Sequence, residues 1–385
     1  MLRTIATPCL AFWLTITSGC GGGSNFAPGG GPGGGGTGGG GNGGGGGNGS
    51  SGNGTPSSRF VFVSNATSNK ISGFAIDKSS GSLTPVPGSP FSTPSSPAGL
   101  AVDSSSNFLI AANVAAEISV FKIDRTTGAL KPVPGSPFAG KNQPQAAAIS
   151  KNFVYIGNRG SNDISVYILD PTNGTLSPVG GSPFPTILSD VQAMALHGTT
   201  VPELLVAGST LADFFVQSEG SLKSNDSCCL GGTSVVANAG IIYVTNSANI
   251  DVFTERVIGP APDCENDPLS CKVGTFPAGT QPSSIAIYGQ FAFVANFGSN
   301  NVTTLAITAT DFGLAVSLAQ LSVDAAGKGP SSVAVDPSGK FLYVTNQFSN
   351  NVSAFAVDQS TGKVTPIGGS PFATDPGPTF LVTVQ

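Results

Sequence analysis

Few residues of this chain have side chains suited to catalysis. Its 385 residues include one His, His197, which excludes a metal site built from several His ligands. The sequence also has no Gly-x-Ser-x-Gly elbow and no Cys-x-x-Cys pair. We therefore predict no catalytic residue, no metal site and no cofactor, and we expect His197 to be structural or exposed.

Four cysteines follow the N-terminal region: Cys228, Cys229, Cys264 and Cys271. An even number in an exported chain suggests disulfides, and three pairings are possible. The sequence favours Cys264 with Cys271, since both lie in one insertion at residues 257–272. Cys228 and Cys229 would then form a vicinal bridge in a predicted loop over 225–232, which could serve as an apolar platform for a ligand.

One strand-like phrase, apolar and ended by Asn, recurs along the chain. The final copy reads Phe-Leu-Tyr-Val-Thr-Asn and ends at Asn346. Seven copies close at Asn65, Asn113, Asn158, Gly208, Asn246, Asn296 and Asn346, of which the Gly208 copy is degenerate. The spacing of 38 to 50 residues is typical of a propeller.

Around the last copy, the alternation of apolar and polar residues predicts four strands, at 330–336, 341–345, 351–357 and 363–367. Turn residues separate them at 336–339 and 358–362, and the sequence Gly-Gly-Ser-Pro-Phe leads out at 368–372. Four antiparallel strands form one propeller blade. The chain is therefore predicted to be an all-β, seven-bladed β-propeller.

The first copy has no strand before it, because the preceding residues are a glycine-rich tether. A spare strand lies at the other end of the chain, over 378–384. We predict that it pairs beside residues 59–64 and closes the ring, which hides sheet edges that would otherwise favour aggregation. The propeller domain is then 59–385, long enough to bury a large core.

The N-terminal region has the pattern of an exported lipoprotein. Residues 1–19 form a short apolar signal peptide with Arg3 at its start, and small residues precede Cys20, as in a lipidation site. An ordinary signal peptide cleaved nearby is the alternative. Residues 20–58 comprise Cys20 and a glycine-rich tether. We expect a lipoprotein of the outer membrane or cell surface, with the periplasm as second choice.

The amino-acid composition limits the classes of partner that we expect. The net charge of −5 argues against nucleic acid, which requires a basic surface. We expect a monomer that touches the membrane only through its lipid and binds a glycan, a small molecule or a surface protein.

Antiparallel strands bring two sets of residues to one mouth of the ring. The first set starts the inner strands and includes Gln145, Gln192 and Ser331. The second set follows the closing Asn positions and includes Arg159, Phe297 and Gln347. We predict that these six form a polar binding site for a sugar or small anion. The alternative for Arg159, the one charge among them, is that it points to solvent.

The Tyr-Val-Thr-Asn phrase ending at Asn346, the segment 158–166 and the turn 358–362 resemble the seven-bladed lactonase family. Its namesake is 6-phosphogluconolactonase, and the surface-protein YVTN propellers are close relatives. The resemblance covers about residues 59–385. It implies an Arg-His pair at one inner-strand mouth, a Glu after one closing Asn and an Asn-Arg-Gly-His phrase. Only Arg159 of these is present, with Ser161 in place of the His.

Three hypotheses follow. The first is a tethered propeller that binds a partner, glycan or small molecule without catalysis. The second is a lactone hydrolase of the 6-phosphogluconolactonase type, with a rearranged site around Arg159. The third is a structural surface-layer role for many tethered copies. Export argues against the second, because phosphorylated sugar lactones belong to the cytoplasm.

Overall fold

The computed structural model describes residues 59–198, 202–254, 271–309 and 315–385, which form strands joined by turns and loops. The strands make seven antiparallel sheets, each a blade, and this confirms the predicted seven-bladed propeller. The described residues include no helix that is long and apolar enough to cross a membrane. In each blade the first strand lies nearest the ring axis, and the others follow outwards.

Four blades have five strands. Blade 1 consists of β32 (Pro378–Val384), β1 (Phe60–Asn65), β2 (Lys70–Ile76), β3 (Leu83–Pro85) and β4 (Phe91–Ser92). Blade 2 consists of β5 (Pro97–Val102), β6 (Phe108–Asn113), β7 (Glu117–Ile123), β8 (Leu130–Pro132) and β9 (Phe138–Ala139). Blade 3 consists of β10 (Pro144–Ser150), β11 (Phe153–Asn158), β12 (Asp163–Leu169), β13 (Leu176–Pro178) and β14 (Phe184–Pro185). Blade 7 consists of β27 (Pro330–Val335), β28 (Phe341–Asn346), β29 (Asn351–Val357), β30 (Val364–Pro366) and β31 (Phe372–Ala373).

The other three blades have four strands. Blade 4 consists of β15 (Ala193–His197), β16 (Glu203–Ala207), β17 (Thr210–Val216) and β18 (Leu222–Leu230). Blade 5 consists of β19 (Ser234–Asn238), β20 (Ile241–Thr245), β21 (Asn249–Thr254) and β22 (Cys271–Pro277). Blade 6 consists of β23 (Pro282–Tyr288), β24 (Phe291–Asn296), β25 (Asn301–Ala309) and β26 (Val316–Ala325).

The outer edge differs from the prediction in two places. In blade 7 the fourth strand is shorter than 363–367, and the Phe of Gly-Gly-Ser-Pro-Phe returns to the sheet, where Phe372 pairs with Val352. The Gly and Pro of this segment interrupt the ladder of backbone hydrogen bonds, so the outer edge of blade 7 consists of two short strands, β30 and β31. In blade 4 the predicted loop over 225–232 is wrong, because residues up to Leu230 extend β18 along β17.

The terminal strand closes the ring as predicted. β32 pairs antiparallel with β1, and Leu381 lies opposite Val63. Seven buried apolar clusters occupy the seven interfaces between neighbouring blades. The cluster between blades 7 and 1 contains Val61 and Leu381 together with Tyr343. Sequence-distant strands therefore share one core, and the ring is continuous.

The closing Asn residues tie the second strand of a blade to the third. Asn346 is fully buried, and its Nδ2 donates to Ser353 Oγ at 2.9 Å. Its Oδ1 accepts from the backbone N–H of Gly327 at 3.0 Å. In all six blades that have this Asn, Nδ2 donates to a side chain on the third strand, namely Ser72, Ser119, Ser165, Asp251, Thr303 or Ser353.

Candidate functional site

A cavity of about 400 Å³ lies where the inner strands begin, and we call it the axial cavity. It is lined by residues that start the inner strands and by residues that follow the second strands. Five of the six predicted site residues line it: Gln145, Gln192, Phe297, Ser331 and Gln347. The predicted positions therefore do converge, and their ligand-binding role stays a prediction.

The hydroxyl groups around half of this cavity hold the ring together. Thr233 Oγ1 donates to the carbonyl of Pro282, at 2.7 Å, in the next blade. Ser283 does the same to Pro330 at 2.7 Å. Ser331 completes the series with a bond to the carbonyl of Pro378 at 3.0 Å. Because its one donor hydrogen is engaged between blades, Ser331 has an architectural role whatever it adds to ligand binding.

Blades 3 and 4 carry longer amide side chains at the same position. The Gln192 side chain lines the axial cavity, and its Nε2 donates to Asp190 Oδ2 at 2.6 Å. The other carboxylate oxygen of Asp190 accepts from Arg159 Nε. Arg159, Asp190 and Gln192 thus form one linked group, which we call the rim cluster.

Arg159, the sixth predicted site residue, lies in the rim cluster. This residue is not among those that line the axial cavity, and its side chain is 45% exposed. It does not simply point to solvent either, because it forms an ion pair with Asp190. A guanidinium has five N–H donors, so the Nε bond leaves further donors for a ligand at the rim.

Asp190 was missed by the sequence analysis. It lies two residues before Gln192, just outside the repeated inner-strand phrase, and has a positive φ of 80°. Its backbone N–H donates to Asn162 Oδ1 at 2.9 Å, which anchors the loop from which it projects. The sequence feature that could have identified Asp190 is a carboxylate immediately before an inner strand. The repeat pattern did not single it out, because a carboxylate occurs at this position in one blade only.

The other side of the axial cavity, by blade order, is aromatic. Phe297 lines it, and Phe348 packs edge-on against Phe297 with ring centroids 5.2 Å apart. Phe348 is 65% exposed. Both rings follow closing Asn residues, in blades 6 and 7. The cavity thus has amide side chains on one side, with the Asp190 carboxylate bonded to one of them, and an apolar ring on the other.

The axial cavity is electrically neutral along its described lining, which includes no Asp, Glu, Lys, Arg or His. The nearest charges reached by a hydrogen bond from the lining are those of the rim cluster. Ring opening of a lactone requires a base that activates water and donors that stabilise the oxyanion. Asp190 could supply the base, and Gln192 and Arg159 could supply donors.

His197 ends the inner strand of blade 4, and Ala193, at the other end of that strand, lines the axial cavity. The structure therefore places His197 away from the mouth and buries it to 6% exposure. The backbone of Cys228 and Cys229 lies in β18, an outer strand, and not in a loop. Residues 1–58 and 255–270, with Cys20 and Cys264, lie outside the described residues, as do the side chains of Cys228, Cys229 and Cys271.

Comparison with known proteins supports a lactonase relationship. The family described as "Lactonase, 7-bladed beta-propeller" matches residues 50–140 and 265–382, together more than half of the chain. A 6-phosphogluconolactonase of Formosa agariphila is 37% identical over 76 residues. That match spans 20% of this chain and 21% of the relative, about a fifth of each.

Solved structures share the fold. A periplasmic gluconolactonase of Pseudomonas aeruginosa, PpgL, has a TM-score of 0.69 at 18% identity, covering 86% of this chain and 99% of that one. A proposed 6-phosphogluconolactonase of Bacteroides uniformis has a TM-score of 0.71 at 16% identity, covering 85% and 100%. The sequence match and the observed seven blades agree, and the chain belongs to the family of seven-bladed β-propeller lactonases.

Proposed function

We propose that this protein hydrolyses a sugar-type lactone at the mouth of the axial cavity. The observation that carries the proposal is the rim cluster, in which the Asp190 carboxylate is bonded to Gln192 of the cavity lining and to Arg159. The named relatives, a 6-phosphogluconolactonase and a periplasmic gluconolactonase, support lactones as the substrate class.

In this proposal, Asp190 takes a proton from a water molecule as the water attacks the lactone carbonyl. The negative charge that develops on the carbonyl oxygen is stabilised by N–H donors of Arg159 and Gln192. The Phe297 ring, across the cavity, packs against the apolar face of the sugar ring. The ring oxygen leaves as an alcohol after it receives a proton, and the product is the open-chain hydroxy acid.

The neutral lining favours a lactone without phosphate. Phosphate groups are commonly held by Arg and Lys side chains, and the described lining of the axial cavity has neither. Arg159 is the one cation of the rim cluster, and Asp190 already pairs with it. We therefore expect gluconolactone to be a better substrate than 6-phosphogluconolactone.

A panel of lactones tests the proposal with the purified chain in a pH-stat, after subtraction of spontaneous hydrolysis. The proposal expects turnover of gluconolactone with a higher kcat/KM than 6-phosphogluconolactone. Absence of turnover for every sugar lactone tested contradicts it. The neutral lining also favours a second candidate, binding without chemistry, which saturable binding of a sugar without turnover would support.

We also propose that the chain is exported and anchored through Cys20, which places the cavity outside the cytoplasm. The support is the sequence pattern of residues 1–58, which precede the described propeller. Labelling with a radioactive fatty acid tests this proposal. We expect label in the wild-type chain and none in Cys20→Ser, and equal labelling of both would contradict lipidation at this residue.

A further inference from the structure

A second cluster of side chains lies in blade 4, apart from the axial cavity. His197 at the end of β15 is directly opposite Glu203 at the start of β16. Asp213 in β17 is opposite Leu205, two residues beyond Glu203. Because side chains alternate along a strand, all three project from the same face of the sheet. That face packs on blade 5, where Leu205 belongs to the shared apolar cluster.

The three side chains are spaced like ligands of one metal ion. His197 Nε2 lies 3.3 Å from Glu203 Oε2 and 3.6 Å from Asp213 Oδ1. One ligand atom from each residue falls within 4.8 Å of the other two. In a tetrahedral site with bonds of about 2.0–2.2 Å, neighbouring ligand atoms are about 3.3–3.6 Å apart. The two distances from the imidazole therefore match a four-coordinate ion.

The burial and the charge of Asp213 also favour a bound cation. Asp213 is 3% exposed, and its Oδ2 accepts from Asn225 Nδ2 at 2.8 Å. Its Oδ1 accepts no hydrogen bond among the described residues, although it faces the imidazole. The buried Asp213 carboxylate thus faces a buried imidazole that Glu203 also approaches, and burying a carboxylate is costly unless its charge is compensated. A divalent cation bound by the three side chains compensates it, and Asn225 orients one ligand.

Blade 5 offers a comparison, because its third strand also carries a buried carboxylate, Asp251. Asp251 accepts from Asn246 Nδ2 at 2.6 Å and from Thr275 Oγ1 at 2.7 Å, and it pairs with Lys272 Nζ at 2.7 Å. Blade 4 has Gly208 in place of the closing Asn, so it lacks the side-chain bond between the second and third strands that the other blades share.

We propose that His197, Glu203 and Asp213 bind one divalent transition-metal ion of the Zn²⁺ class, which joins the first three strands of blade 4. An imidazole nitrogen with two carboxylates and close tetrahedral spacing suits Zn²⁺, whereas Ca²⁺ requires six to eight oxygen ligands. Water is the fourth ligand. Because Ala193 at the opposite end of β15 lines the axial cavity, this ion has a structural role and is independent of lactone chemistry.

The test is a calorimetric titration of the metal-stripped chain with Zn²⁺, after the thiols have been alkylated so that cysteines do not bind it. We expect one Zn²⁺ per chain and a higher Tm when it is bound. His197→Gln and Asp213→Asn should each weaken binding by about 100-fold or more, since changing a residue that merely supports a ligand already costs about 10–100-fold. Asp251→Asn, the same change at a buried third-strand carboxylate of blade 5, should bind Zn²⁺ as the wild type does.

A second measurement needs no variant. The chain has one His, so the imidazole NMR signals belong to His197 without ambiguity. One equivalent of Zn²⁺ should shift them in slow exchange and remove the signal of the proton on Nε2. The proposal is overturned if Zn²⁺ leaves these signals unchanged, or if folded His197→Gln and Asp213→Asn chains bind Zn²⁺ as tightly as the wild type.

Discussion

Buried asparagine side chains link neighbouring segments of this protein by hydrogen bonds. Asn346 shows how, because its amide bonds Ser353 on the next strand and the backbone N–H of Gly327 in the loop from the preceding blade. Each closing Asn is polar, and those in five of the six blades are fully buried. Such a group stabilises the fold only while its partners are in place.

We expect Asn346→Ala to lower the free energy of unfolding by about 1–3 kcal/mol, since it leaves buried donors and acceptors without partners. Chemical denaturation monitored by circular dichroism measures the change. Asn152→Ala is the matched control, because Asn152 is exposed in a turn. Equal stability of the two variants would contradict the assigned role of Asn346.

The turn carboxylates make stability depend on acid pH. Hydrogen bonds from the Ser360 hydroxyl and from the backbone N–H groups of Ser360 and Thr361 lower the pKa of Asp358 from 3.8 to about 2. A carboxylate with a lowered folded-state pKa adds stability above its unfolded pKa and loses it as pH falls through the folded one. The stability that the ionised Asp358 contributes is therefore lost as the pH falls from about 4 to about 2.

Asp358→Asn removes this titration and keeps the size of the side chain. We expect the wild type to have the higher Tm at pH 6 and the difference to shrink between pH 4 and pH 2. Thermal melts at half-unit pH steps measure it. A Tm difference that stays constant across this window would contradict the role given to the ionised carboxylate.

At the scale of elements, turn glycines lock neighbouring blades together. Gly174, in the outer turn of blade 3, has a φ of 79°, and a Cβ there would lie 2.5 Å from Phe108 Cε1 of blade 2. The turn of blade 2 does the same, with Gly128 over Phe60 of blade 1. Each of these glycines thus covers the first Phe of the preceding blade's second strand.

Gly174→Ala should lower the free energy of unfolding by about 2 kcal/mol or more, because the left-handed conformation alone costs about 1–2 kcal/mol and the methyl group meets a packed ring. Gly180→Ala in the same blade is the matched control, since a Cβ there has nothing within 4 Å. Chemical denaturation compares the two variants. A neutral Gly174→Ala would show that the turn does not hold the blades.

The repeat predicted the strands well wherever it was regular, as in β29 and β32, whose bounds match the predicted strands 351–357 and 378–384. It failed in blade 4, where β18 replaces a predicted loop. A repeat pattern also gives no information about a residue that occurs in one blade only. Asp190 and the convergence of His197, Glu203 and Asp213 depend on contacts between strands that no spacing in the sequence reveals.

For the molecule as a whole, closure depends on the pairing of β1 with β32. Deleting residues 378–385 removes the innermost strand of blade 1 and exposes part of the cluster that contains Leu381 and Val61. Losing one buried Leu alone costs about 2–5 kcal/mol. We expect the truncated chain to lose its cooperative thermal transition, while deletion of the exposed Gln385 alone leaves it intact. A truncated chain that melts as the intact one does would contradict closure by β32.

The central claim is that one carboxylate at the rim of the axial cavity activates water for lactone opening. The most direct measurement is kcat/KM for gluconolactone in wild type, Asp190→Asn and Glu219→Gln, the last being an exposed carboxylate in the outer turn of blade 4. We predict a loss of about 100-fold or more in Asp190→Asn and none in Glu219→Gln, as expected when a general base is removed. A folded Asp190→Asn chain with wild-type turnover would contradict the claim.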